Sequence, residues 1–453
     1  MKEFDLSALL QEHTEFSLRQ QLSYVWRLSV PGILAQISSI IMQYIDAAMV
    51  GSLGAAPSAA IGLVASSTWL FGGLSHAVGM GFSVQIAQAT GAGDKQKAKD
   101  ILRQEIVVGA AISFVLAAIG IAISGSLPIW LGGSAEIQKD ASVYFLVFAL
   151  FLPLMQNFFM LGASLQCAGN MKIPGILNAL MCFLDVAFNF IFIFVCKLGV
   201  LGAALGSAAA LVVVAVAMIY FTCVASPALN LRQKGSWIPR AETLRTARKV
   251  SLPMGFEQIA LCGAYVMSTK IIAPLGTIAI AAHSFSITAE SLCYMPGYGI
   301  GEAATTLVGQ SIGAKRTDLA KRFAWLTVAM GMCVMATTGI VMYALCPAIF
   351  RFLTPDADVR SLGILVLRTE LWAEAFYAAA IVISGGLRGA GDTLVPSIMN
   401  LVSMWGVRLT LSYVLTKKMG LQGAWIAMAT ELCFRGCIFL FRLKREKWLK
   451  AKR

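Results

Sequence analysis

The chain has 453 residues, of which 58% are hydrophobic and only 13% charged, and its mean hydropathy is +0.75. A soluble globular chain carries about 25% charged residues, so this composition leaves too little polar surface for soluble domains and reads as an integral membrane protein. The formal net charge of +13 raises nucleic acid or anionic lipid as partners, but the charge sits between hydrophobic runs, and no nucleic-acid role is expected.

Residues 1–25 form a polar, cytoplasmic amino-terminal segment with Lys2, Glu3, Asp5, Glu12 and Glu15. It lacks the apolar core of a signal peptide, so the first span is expected to act as the insertion signal. A bilayer core of about 30 Å needs about 20 mostly apolar helical residues. Windows of that kind fall at 28–50, 59–82, 105–130, 142–166, 173–196, 200–223, 251–273, 278–308, 323–350, 361–387, 395–416 and 421–441. A basic segment at 226–250 divides them into a first lobe at 26–225 with helices 1–6 and a second at 251–442 with helices 7–12; 443–453 is a basic cytoplasmic tail. The fold class is therefore an all-α polytopic membrane protein of twelve transmembrane helices. All ten Cys lie in or beside apolar stretches without a CxxC pair, and the three His are His13, His76 and His283. Neither a disulfide framework nor a zinc site is expected, and no cofactor.

The basic residues set the orientation. With the amino terminus inside, 26 of the 36 Lys and Arg fall in cytoplasmic segments and six in outer gaps. That asymmetry is a strong positive-inside signal. Both termini are expected in the cytoplasm.

A shift of 222 residues reveals an internal repeat. It lays Ser29, Pro31, Gln36 and Ile37 on Ser251, Pro253, Gln258 and Ile259, and Gly91-Ala92 on Gly313-Ala314. Farther along, Ala168-Gly169, Pro174 and Asn178 fall on Ala390-Gly391, Pro396 and Asn400, and after one deletion Gly202-Ala203 meets Gly423-Ala424. Six spans per copy is an even number, so both copies enter from the same side. Parallel repeats of this kind are a standard transporter plan.

Charges within spans are expensive, about 2.5 to 3.5 kcal/mol at the bilayer centre on insertion scales. Depth by residue count places Glu302, Lys270, Arg368, Glu370 and the pair Glu431 and Arg435 near interfaces, where long side chains snorkel. Asp46, Asp185, Glu257, Glu290, Glu374 and Arg408 lie deeper. Their partners in the repeat register are Ser268, Val407, Ala35, Thr68, Leu152 and Val186, none of them charged. The scaffold has been duplicated while each half acquired its own ionisable set, which argues for site chemistry. Asp185 and Asn189 stand four apart on one helix face; their oxygens suit a hard cation, and Ser207 on the next span is placed to add another.

The run Pro31, Asp46 and Val50-Gly51-Ser52-Leu53-Gly54 resembles the first helix of the multidrug and toxic compound extrusion (MATE) family. Segments Gly162 to Pro174 and Gly385 to Thr393 are similar to that family's paired loops after helices four and ten, and Leu307-Val308-Gly309-Gln310 to the end of its eighth helix. The resemblance covers nearly the whole chain. It implies two six-helix lobes around a central cleft, no enzymatic activity, and export of cationic lipophilic compounds by alternating access against entry of Na⁺ or H⁺. It also implies a coupling site at Asp46, Asp185, Asn189 and Ser207, where Na⁺ or a proton binds. Here Asp185 replaces the more usual Asn and Ser207 replaces Thr. In the second lobe Glu257 matches a seventh-helix acid and Glu374 a tenth-helix acid; Glu290 and Arg408, singled out above by depth and by their uncharged repeat partners, are expected as further substrate or coupling residues. The expected setting is the bacterial inner membrane, as a monomer in the lipid bilayer, with organic cations as partners. Two rival readings are a lipid-linked precursor flippase of the same general architecture and, from Gly389-Ala390-Gly391-Asp392, an intramembrane aspartyl protease.

Overall fold

The computed structural model describes residues 17–450. The expected amino-terminal segment as far as residue 16 and the last three residues of the basic tail lie outside the described residues. In hydrocarbon every backbone polar group must be satisfied inside the protein, which leaves helices or closed barrels. Among the described residues there are helices and no strands.

Twelve long helices run in chain order: α1 Leu18–Gly51, α2 Ala55–Gly91, α3 Lys95–Ile123, α4 Ala135–Cys167, α5 Lys172–Val195 and α6 Gly199–Ala225, then α7 Ala241–Leu275, α8 Thr277–Gly313 and α9 Thr317–Leu353. The tenth, α10, consists of Ala357–Glu370 and Glu374–Gly389 joined by a 3-10 turn at Leu371–Ala373. The last two are α11 Leu394–Met419 and α12 Leu421–Lys444. Ten of them are long and apolar enough to cross a membrane. The remaining two, α8 and α10, carry Glu290 and Glu302, and Glu370 and Glu374.

The repeat is visible in the backbone. Helices α2, α3, α4, α5 and α6 begin at 55, 95, 135, 172 and 199, and α8 to α12 begin 222 residues later, at 277, 317, 357, 394 and 421. The turn glycines repeat as well: Gly169 and Gly391 both take positive φ, 99° and 85°, a conformation open to glycine without steric cost.

By compactness the described chain forms two units, residues 38–255 and residues 17–37 together with 256–450. The first unit is centred on Phe82, Ile86, Leu102, Phe158, Leu161 and Val214, drawn from α2, α3, α4 and α6. In the second, the opening part of α1 packs on α8. A Cβ on Gly32 would sit 2.8 Å from the carbonyl oxygen of Gly299, so the two backbones meet at a distance only small residues allow. One turn on, Gln36 Nε2 donates to Glu302 Oε1 at 3.1 Å. Phe114, Phe183, Phe352 and Trp372 are exposed, as an apolar surface in contact with lipid requires.

Candidate functional site

In the first unit α5 places Asp185 and Asn189 one turn apart, and the end of α1 brings Asp46 to them. Asn189 Nδ2 donates to Asp46 Oδ1 at 3.0 Å and to Asp185 Oδ2 at 3.1 Å. A π-helical turn, Ile191–Val195, follows directly; such insertions recur at functional sites. Asp185 and Asn189 are buried and Asp46 is half-buried. Asp185 Oδ1 and Asn189 Oδ1 are buried without a hydrogen-bond partner. Gly206 of α6 makes the room, since a Cβ there would lie 2.8 Å from the Asn189 backbone nitrogen. Ser207 follows Gly206, but among the described residues no hydrogen bond ties its hydroxyl to the other three. No Lys, Arg or His comes within 4.0 Å of either carboxylate among the described residues. Two carboxylates and unpartnered oxygens are a donor set for a small hard cation or a proton.

The second unit holds a larger acidic group. Carboxylate oxygens of Glu290 on α8 and of Glu370 and Glu374 on α10 lie within 4.8 Å of one another, and all three residues are buried. None of the four oxygens of Glu370 and Glu374 has a hydrogen-bond partner. Two like charges at that separation repel by about 3.5 kcal/mol at an effective dielectric of about 20, so the trio cannot stay fully ionised without a counter-charge. Arg408 lies in the π-helical stretch Val402–Leu409 of α11. It makes no ion pair within 4.0 Å among the described residues, and its Nη2 lies 2.6 Å from Met428 Sδ. Tyr294, one turn beyond Glu290, has its ring centroid 5.6 Å from Tyr377 and 6.1 Å from Tyr298.

Glu257 belongs to a different hydrogen-bonded group, where Ser397 Oγ and Asn400 Nδ2 each donate to it at 2.6 Å. The structure thus joins Glu290 with Glu374 and gives Glu257 partners of its own. Three residues expected to snorkel at interfaces are instead buried inside the protein. Glu370 is 0% exposed and part of the trio. Glu431 and Arg435 are both buried and form the expected ion pair, at 2.6 Å, with Ser403 Oγ donating to Glu431. The one-turn spacing of Glu370 and Glu374 was the signal available in the sequence for the first of these. Asp392, the acid of the protease-like string, is paired with Arg442 at 2.5 Å.

The MatE family profile matches residues 31–191 and again 253–414, two matches whose starts are 222 residues apart, one per repeat. The chain belongs to the MatE family. Asp46, Asp185 and Asn189 lie in the first MatE match; Glu257, Glu290, Glu370, Glu374 and Arg408 lie in the second. Among curated relatives, a probable multidrug resistance protein NorM from Thermotoga maritima is 27% identical over 436 residues, covering 94% of this chain and 92% of its own. One of the same description from Bacillus cereus is 25% identical, covering 96% and 97%. Among solved structures, a MATE in complex with MaL6 superposes with a TM-score of 0.91 at 19% identity, covering 98% of this chain and 99% of that one. An outward-facing multidrug resistance MATE transporter of the MOP superfamily gives 0.91 at 20%, covering both chains fully. MatE proteins are multidrug transporters, not enzymes.

Proposed function

We propose that this chain is a cation-coupled antiporter that exports cationic, lipophilic organic compounds against entry of Na⁺ or H⁺ by alternating access, as a monomer in the bacterial inner membrane with both termini cytoplasmic. Support for the transported class comes from the MatE membership and from relatives described as multidrug resistance proteins. Orientation rests on the excess of 26 basic residues over six.

The observation that carries the reading is the pair of acidic groups without a paired base. Asp46, Asp185 and Asn189 present small, unpartnered oxygens, a fit for the coupling ion. Glu290, Glu370 and Glu374 offer concentrated negative charge beside Tyr294, Tyr298 and Tyr377, whose ring faces attract organic cations. A ligand shifts a two-state protein only through differential affinity, so the acids must be solvated differently in the two states. The deciding test is uptake of a fluorescent organic cation into proteoliposomes under separate Na⁺ and H⁺ gradients. Transport driven by neither gradient would exclude an ion-coupled antiporter.

A further inference from the structure

Glu105 belongs to none of these groups. It lies on α3 about 15 Å from the start of that helix, at 1.5 Å per residue, and is 0% exposed. Its Oε2 is 2.6 Å from Ser164 Oγ on α4. Ser164 Oγ is in turn 3.2 Å from Ser83 Oγ on α2, and Ser83 Oγ is 3.1 Å from the carbonyl oxygen of Gly79. Oε1 has no partner. Among the described residues no Lys, Arg or His reaches within 4.0 Å of the carboxyl. The titratable neighbour on α6 is Cys223; the groups on α2 and α4 are the two serines.

A count of hydrogens decides the state of this acid. A hydroxyl has one hydrogen to donate, and the Gly79 carbonyl can only accept, so Ser83 donates there. Ser164 must then donate to Ser83. For all three contacts to carry a hydrogen, the one between Ser164 and Glu105 is supplied by Glu105. An ionised Glu105 would leave one of the three contacts without a hydrogen, and would leave a buried charge with no cation to balance it.

The duplicate copy shows that the fold does not need this acid. In the 222-residue register Gly79, Ser83, Glu105 and Ser164 fall on Gly301, Thr305, Thr327 and Gly386. There Thr305 Oγ1 reaches the carbonyls of Gly301 and Gly385 at 3.0 and 2.8 Å, and Thr327 Oγ1 reaches that of Phe323 at 2.8 Å. Neutral hydroxyls close the same place.

We propose that Glu105 is a proton-binding site of the first unit, separate from the Asp46 group, with the proton bonded to Oε2 and donated to Ser164. Because α2 crosses between them, the end of α1 near Asp46 and the start of α3 near Glu105 lie toward opposite membrane faces. Release of the proton leaves a carboxylate that only entering water can solvate, so the site loads and empties when α2, α3 and α4 part on the α3-start side.

Infrared spectra of the full chain in lipid nanodiscs at neutral pH test this. Glu105→Gln, whose amide can still donate to Ser164, is expected to fold and to lose one protonated-carboxyl C=O band that shifts on deuteration in the parent protein. Ser164→Ala keeps the acid but removes its acceptor, and should shift that same band. Loss of a carboxylate band in Glu105→Gln, or an unmoved C=O band in Ser164→Ala, overturns the proposal. If Glu105→Gln does not fold, the Ser164→Ala shift alone decides.

Discussion

Gly206 packs so tightly on Asn189 that a Cβ at position 206 would stand 2.8 Å from the Asn189 backbone nitrogen and 2.9 Å from its Cα. Backbone cannot retreat as a flexible side chain would, so Gly206→Ala should push α5 away from α6 and break the link from Asn189 to Asp46. Ion-driven export should fall at least about tenfold, the equivalent of one lost charge-assisted hydrogen bond of about 1.5 kcal/mol. Gly62→Ala is the control. A Cβ there meets nothing within 4 Å, and in a helix the change should be neutral or stabilising by up to about 1 kcal/mol. Equal losses in the two variants would remove Asn189 from the account.

Glu374→Gln tests the acidic trio. Removing one negative charge from the group should weaken binding of an organic cation by about tenfold or more, on the scale of charge-assisted hydrogen bonds. Binding of a neutral compound of similar size should change little. Isothermal titration of matched cationic and neutral compounds gives the comparison, and equal weakening of both would assign Glu374 a packing role.

Glu257 is held by two donors, so its removal should be felt as stability. Glu257→Ala leaves the buried Ser397 hydroxyl and the half-buried Asn400 amide without their acceptor, at a cost of about 1–3 kcal/mol for the buried hydroxyl and less for Asn400, which water can reach. Glu257→Gln retains an acceptor oxygen and should lose less. Thermal unfolding of both variants in detergent checks the order; a more stable Ala variant would contradict it.

Topology is tested by labelling single cysteines from outside intact cells in a background without native Cys. Ser134→Cys, in the short connection before α4, should react, and the exposed Lys234→Cys should not. Position 235 itself is unsuitable, because a Cβ on Gly235 would collide with Arg103 and lie 2.7 Å from Asp100 Oδ1. The opposite labelling pattern would invert the orientation.

Much of the architecture was legible because two signals are strong in a membrane chain. Long apolar windows mark the spans, and the 222-residue repeat predicts where helices restart, as it does for α8 through α12. Asp185 and Asn189 were legible from their four-residue spacing alone. Burial inside the protein was the weak signal. The third apolar window opens at Glu105, whereas α3 begins ten residues earlier at Lys95 and Glu105 is buried inside the protein. Glu370 gave no sign of its burial beside Glu290 and Glu374, since counting residues along a helix does not say what the helix packs against. Tyr294, Tyr298 and Tyr377 gave no signal, because an aromatic residue in an apolar run reads the same whether it faces lipid or a neighbouring acid.

Asp46, Asp185 and Asn189 are proposed to bind the ion that drives transport. Asp46→Asn removes one carboxylate while keeping size and hydrogen-bonding capacity. The most direct measurement is export of a fluorescent organic cation by proteoliposomes of the parent chain and of Asp46→Asn, under an imposed Na⁺ gradient and, separately, an imposed H⁺ gradient. One gradient should drive the parent chain, and Asp46→Asn, folded and still able to bind substrate, should no longer respond to it. Full gradient-driven export by Asp46→Asn would contradict that assignment.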